Sequence, residues 1–183
     1  PDGIELTLGN ESREPWPARI DLERRDAVTR FAATSLAVEV PALGSLRLPV
    51  PAGLIDGELP GGELLVATVD GIRAVLLGTV DRDFADVDPE YRLTVRPVGD
   101  GVEVTVAAAT LLRDLTLLTD GIDGEAEADR NLLTLLPGES ATWHVRTAHP
   151  ERFDEAALRA AFRVARAVRN PIERSPGGLL APE

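Results

Sequence analysis

His144 and His149 are the only two histidines in the 183-residue chain. They stand five residues apart at the end of a predicted strand. The chain has no Cys and no Lys, and every basic residue is Arg. That excludes a disulfide framework, a zinc-thiolate site, a Cys nucleophile and a Schiff-base lysine. No Ser lies in a Gly-x-Ser-x-Gly setting, so His144 reads as a strand-end residue and His149 as an exposed one. Two acidic groups are dense enough to suggest calcium: Asp81, Asp83, Asp86 and Asp88, then Asp120, Asp123, Glu125, Glu127 and Asp129. Neither has the twelve-residue loop pattern with Gly at its sixth position and Glu at its last, so both read as solvated acidic loops. A glycosidase-type carboxylate pair, set about 5–10 Å apart in a cleft, is not recognisable among so many acids. The chain carries no Walker sequence and no Gly-x-Gly-x-x-Gly. No catalytic, cofactor-binding or metal residue is therefore assigned, and no cofactor is expected.

Aromatic and basic residues are few. Trp16 lies between Pro15 and Pro17, Trp143 lies mid-strand, and Tyr91 and four Phe complete the aromatic set. Flat stacking platforms for sugars need exposed rings, whereas core packing is the expectation for both Trp residues. Arg159, Arg163 and Arg166 fall on one face of a predicted helix, which reads as solvent-facing or set against acidic loops. The net charge of −12 argues against nucleic acid, because an acidic surface repels phosphate. No run reaches the roughly 18–20 apolar residues of a membrane-spanning helix, and the start, Pro1-Asp2-Gly3, is no signal peptide. The cytoplasm is the expected compartment. Met is absent throughout, position 1 included, which reads as a processed chain or an excised piece.

The elements that would hold these residues are mostly β. Ile4–Leu8, Ala18–Glu23, Ser35–Val40 and Ser45–Val50 alternate apolar and polar residues with the period of half-buried strands. Pro49 marks its segment as an edge or a strand end. Leu64–Val69 and Ile72–Leu77 flank Asp70-Gly71, the signature of a type I′ hairpin. A second set follows the first acidic group. Tyr91–Val95 and Val102–Val106 form a hairpin around Gly99-Asp100-Gly101, followed by strands at Leu115–Leu118, Leu132–Leu136 and Ala141–Val145, with a turn at Pro137-Gly138. Then the period changes. Asp154 can N-cap a helix running to about Arg169 and stopped by Asn170-Pro171, with Leu158, Ala161, Phe162, Ala165 and Val168 on one face. The last residues, 175–183, read as a tail. Charge changes at the same place: residues 1–85 carry 14 acids and 8 Arg, residues 86–147 carry 12 and 5, and residues 148–183 carry 5 and 6. The fold class expected is mainly β, with two small immunoglobulin-like sandwiches in tandem (1–85 and 86–147) and a C-terminal helix with its tail (148–183).

The order of these segments resembles the C-terminal part of bacterial β-mannosidases of glycoside hydrolase family 2. Ala107–Leu117 resembles the strand entering their last domain. Asp129–Trp143, with its Leu-Leu-Pro-Gly-Glu run, looks like that domain's ending. Leu8–Trp16, Leu65–Gly71 and Thr79–Phe84 resemble the preceding domain's first strand, final hairpin and exit. The resemblance covers about residues 1–147. It implies a non-catalytic sandwich pair whose partner is the catalytic (β/α)8 barrel of the parent chain, and a parent that hydrolyses terminal β-mannosides with retention. Carbohydrate would be met only through that parent. The family's catalytic glutamates lie in the barrel and match no position here. The alternative is a carbohydrate-binding or immunoglobulin-like interaction module without catalysis.

Overall fold

The computed structural model describes residues 3–165. Its first half builds six strands: β1 (Glu5–Asn10), β2 (Trp16–Arg25), β3 (Arg30–Val40), β4 (Gly44–Pro49), β5 (Leu64–Val69) and β6 (Ile72–Leu77). Each expected strand is present, and β1, β2 and β3 run longer than the alternation alone indicated. They form an antiparallel sheet in the order β3-β2-β5-β6 and a two-stranded sheet β1-β4. On β2 the alternation places Ala18, Ile20 and Leu22 inside, while Arg19 and Asp21 face out. The inner residues meet Leu8, Val40, Leu65, Ala67 and Val69 in one apolar core. The loop at 50–63 adds buried Leu54, Ile55 and Leu59 to that core without forming a strand. At the β5–β6 turn Asp70 and Gly71 have φ of 48° and 81°, the two left-handed positions of a type I′ turn. Pro49 is the last residue of β4, where its missing N–H costs the ladder nothing.

The second half contains β7 (Tyr91–Val98), β8 (Gly101–Ala108), β9 (Leu112–Leu117), β10 (Glu127–Ala128), β11 (Leu133–Leu135) and β12 (Ser140–Arg146). A helix, α1 (Glu155–Ala161), and a short strand, β13 (Phe162–Arg163), follow. One sheet runs β10-β12-β8-β7 and the facing one β11-β9-β13. Val102, Val104 and Val106 of β8, Leu112, Leu115 and Leu117 of β9, and Trp143 and Val145 of β12 fill the space between them. The chain is thus mainly β, and among the described residues no helix is long and apolar enough to cross a membrane.

The expected long helix is not formed. Asp154 does cap α1, its carboxylate accepting from the Ala157 N–H at 2.8 Å, but the helix ends at Ala161. Phe162 turns extended (φ −71°, ψ 136°) and pairs with Leu117, as Arg163 does with Thr116. The Ala165 N–H then donates to the Arg113 carbonyl at 2.9 Å. Helical periodicity loses here because β9 offers a row of ladder partners and a buried slot for Phe162, which packs edge-on to Trp143 at 5.3 Å and to Tyr91 at 6.3 Å. The Arg face of the helix therefore does not exist. Arg159 is on α1, paired with Glu155 and standing 5.3 Å over the Tyr91 ring. Arg163 is on a strand. Arg166, Asn170-Pro171 and the 175–183 tail lie outside the described residues. The apolar side still docks as expected, with Leu158 and Ala161 buried in the same core as Trp143. Replacing Asp154 with alanine should cost about 1 kcal/mol in urea unfolding, the usual loss for an N-cap.

Candidate functional site

The residues singled out for chemistry do not converge. His144 is exposed beside Glu103, its cross-strand neighbour, with Nε2 3.4 Å from Oε1. His149 stands separately, with Nδ1 3.4 Å from Glu151 Oε1. Among the described residues no group of three or more His, Asp or Glu could hold a metal ion. The second acidic stretch is divided among local partners. Asp123 accepts from the Thr147 hydroxyl at 2.5 Å, Glu127 pairs with Arg146, and Asp129 binds Arg130 and the His144 N–H. The Thr147 bond, outweighing burial, holds Asp123 below the ordinary carboxylate range. Burial pushes Asp129 up, but Arg130 and the His144 amide more than reverse it. Asp21 is also lowered, by the Ser35 hydroxyl and then by Arg19. A glycosidase acid needs a carboxyl held up in pKa, and each of these moves the other way. Trp143 is fully buried, as expected of a core ring. Trp16 is half-buried against the first core, and its Nε1–H donates to Asp70 at 3.0 Å.

What the fold does bring together lies where the two cores meet. Leu64 and Val66 of β5, on the face turned away from the first core, pack with Ala27, Phe84, Leu111 and Leu136 in a third apolar cluster. The Leu111 N–H donates to the Ala27 carbonyl at 2.9 Å, joining the halves through their backbones. Beside the cluster, Arg113 is almost wholly buried. Its guanidinium donates to both Asp86 oxygens, at 3.1 and 3.0 Å, and to Asp81, and lies 5.0 Å over the Phe84 ring. Burial opposes its charge, but Asp86 and then Asp81 hold its pKa above the usual arginine value. The first acidic group is thus not a plain solvated loop, because two of its members are the counter-ions of a buried Arg.

A second clamp spans the halves further along β6. Arg73 donates from Nη1 to the Thr134 carbonyl at 2.9 Å and to Glu139 at 2.8 Å, and from Nη2 to Glu139 at 2.6 Å. Glu139 also accepts the Leu136 N–H at 2.8 Å. This last bond depends on the Pro137-Gly138 turn, where Gly138 takes φ 88°. Open grooves of about 470 and 710 Å³ flank the clamp, and neither is lined by an aromatic ring. Burial raises the Glu139 pKa, but Arg73, the Leu136 amide and Arg25 more than compensate, so the carboxyl is held low. A carboxyl lowered by folding stabilises the fold above its unfolded pKa, and that contribution vanishes as pH falls through the folded value. Stability should therefore decline below about pH 4, the ordinary carboxylate range. Glu139→Gln should flatten part of that decline in pH-dependent urea unfolding.

Sequence reasoning missed both clamps. A signal for the first was present: Arg113 stands inside the apolar run Leu111-Leu112-Arg113-Asp114-Leu115, and an Arg in a buried stretch demands an acid. Nothing local indicated which acid would supply it.

Comparison with known proteins agrees with this architecture. The family model Ig_mannosidase, an Ig-fold domain, matches residues 87–169. A search of curated proteins finds no match. Among solved structures, the exo-chitosanase CsxA of Amycolatopsis orientalis is similar in fold, with a TM-score of 0.50 and 13% identity. The similarity covers 87% of this chain and 23% of that one, so the chain spans about a quarter of that protein's length. Residues 87–169 are accordingly similar to the Ig-fold domain of that family, within a mainly β chain.

Proposed function

We propose that the chain is a non-catalytic β-sandwich region of a glycoside hydrolase, of the β-mannosidase-like kind that cleaves terminal β-mannosides with retention. In this reading it divides near residues 85–86 into two sandwiches, and its partner is the catalytic (β/α)8 barrel of the parent enzyme. Sugar is met only through that parent. The observation that carries the reading is the match of residues 87–169 to the Ig_mannosidase domain. Two features of the site support it: Arg113 with Asp86 and Arg73 with Glu139 are engaged in structural pairs, and these pairs lie with an apolar cluster at the junction between the sandwiches. A packed, ion-paired junction suits a piece that must present a fixed surface to a neighbouring domain. The pure 183-residue chain is expected to fold and to leave an aryl β-mannoside unhydrolysed. Measurable turnover by the chain would overturn the proposal, as would a coding sequence upstream of Pro1 that encodes no barrel.

A further inference from the structure

Sheets end in edges, and most strand edges among the described residues are short or carry a charge or a Pro. At the far end of the first sheet, β6 is only six residues long and carries Arg73, which reaches the Thr134 carbonyl and Glu139, although Ile72, Val75 and Leu76 stay exposed. In the second half the edge strand β7 carries Arg92, Arg96 and Pro97, a residue with no ladder donor. The strands β10, β11 and β13 are two or three residues long, and β4 carries Arg47 and ends at Pro49. Short edges, Pro and charge are the usual guards against pairing with another chain. By contrast β3 runs eleven residues, Arg-Phe-Ala-Ala-Thr-Ser-Leu-Ala-Val-Glu-Val, and pairs only with β2. Between Ala32 and Val38 it has no charge, no Pro and no bulge. The register shift opposite Arg24 and Arg25 affects only its first residues. On the core side Ala32, Thr34, Leu36 and Val38 are only half-buried, which leaves apolar surface for a neighbouring strand to cover.

We propose that β3 is a dimerisation edge, at which a second copy of the chain adds its own β3 antiparallel about a two-fold axis through Ser35. The strand is complementary to itself in this arrangement. Centring on Ser35 sets Ala33 opposite the partner's Ala37 and Ala32 opposite the partner's Val38, so core-side residues meet core-side residues. The outward residues at the centre are Ala33, Ser35 and Ala37, small enough to permit close approach. The register shift carries Arg30 to the outward face, where it lies 3.8 Å from Glu23 of its own chain; antiparallel pairing also brings it near the partner's Glu39, at the other end of that face. A parallel pair would align like charges. The two-fold pairing also closes on itself, using both open edges and leaving none for further growth. The net charge of −12 opposes association, but at 0.15 M salt the Debye length of about 8 Å confines that repulsion to nearby groups. One strand edge is a small interface, so the dimer should be reversible, with Kd on the order of 10–100 µM.

Sedimentation velocity of the 183-residue chain between about 5 and 500 µM tests this. The expected result is a mass rising from 19.6 kDa toward twice that value. Ala33→Lys with Ala37→Lys, both exposed outward positions, should weaken association at least tenfold, with an unchanged circular dichroism spectrum and urea midpoint showing that the fold is intact. Arg30→Glu should also weaken it, and Arg30→Glu with Glu39→Arg should restore it. A mass that stays at 19.6 kDa at the highest concentration overturns the proposal. So does a dimer indifferent to the lysine pair, or one that the charge exchange fails to restore.

Discussion

Replacing Arg113 with alanine is expected to lower the unfolding free energy by about 3–5 kcal/mol, the usual loss when one member of a buried ion pair is removed. The size follows from where the charges sit. The Arg113 side chain is 5% exposed and Asp86 14%, while Asp81 is 68% exposed. Coulombic attraction to an exposed partner is screened by water and contributes about 0–1 kcal/mol. The burden therefore falls on Asp86, a largely dehydrated carboxylate that loses two hydrogen bonds when the guanidinium goes. The stack of Arg113 on Phe84, and with it the packing of the third apolar cluster, is lost as well. Arg113→Lys should recover little, because an ammonium cannot bond both Asp86 oxygens and reach Asp81 from one planar fork. Asp81→Ala should cost no more than about 1 kcal/mol. Urea unfolding of the three variants checks this order; equal losses for Asp81→Ala and Arg113→Ala would contradict it.

Trp143→Ala should be comparably severe, at about 3–5 kcal/mol, because a fully buried indole leaves a cavity the sheets cannot close. Trp143 lies opposite Val104 in the β12–β8 ladder and meets Phe162 edge-on, at an interplanar angle of 74°. Phe162 in turn meets Tyr91, over which Arg159 stands. Losing the indole removes the support that holds β13 against β9, so amide exchange at Phe162 and Arg163 should accelerate beyond the global change. The Trp143 Nε1–H is buried with no hydrogen-bond partner among the described residues. Trp143→Phe deletes that donor along with some volume, and should cost roughly 1–2 kcal/mol.

The strands were legible because alternation is a local property. Ala18, Ile20 and Leu22 announce the buried side of β2 whatever packs on them, and Asp70-Gly71 announces its turn because few residues accept two positive φ angles. Trp143 was legible for the same reason, its parity placing it inside. The helix was half legible. Asp154 is a cap by its chemistry, but its far end was decided by the vacant edge of β9, to which the periodicity of residues 155–168 is blind. The acidic group at 81–88 was misread in part because a carboxylate's role depends on what lies across from it. The counter-ion of Asp86 is 27 residues away in sequence.

By itself, then, the sequence determined the strand-rich class, the positions of the tight turns, the inward-facing residues and the exclusion of thiol and lysine chemistry, since residue type and local spacing suffice for these. Only the tertiary structure decided where α1 stops, that Arg113 and Arg73 close the junction on Asp86 and Glu139, and that the eleven-residue β3 lies at the edge of its sheet. Each of these depends on which distant segment arrives alongside, and side-chain pairing across 27 to 66 residues leaves no periodic trace in the chain.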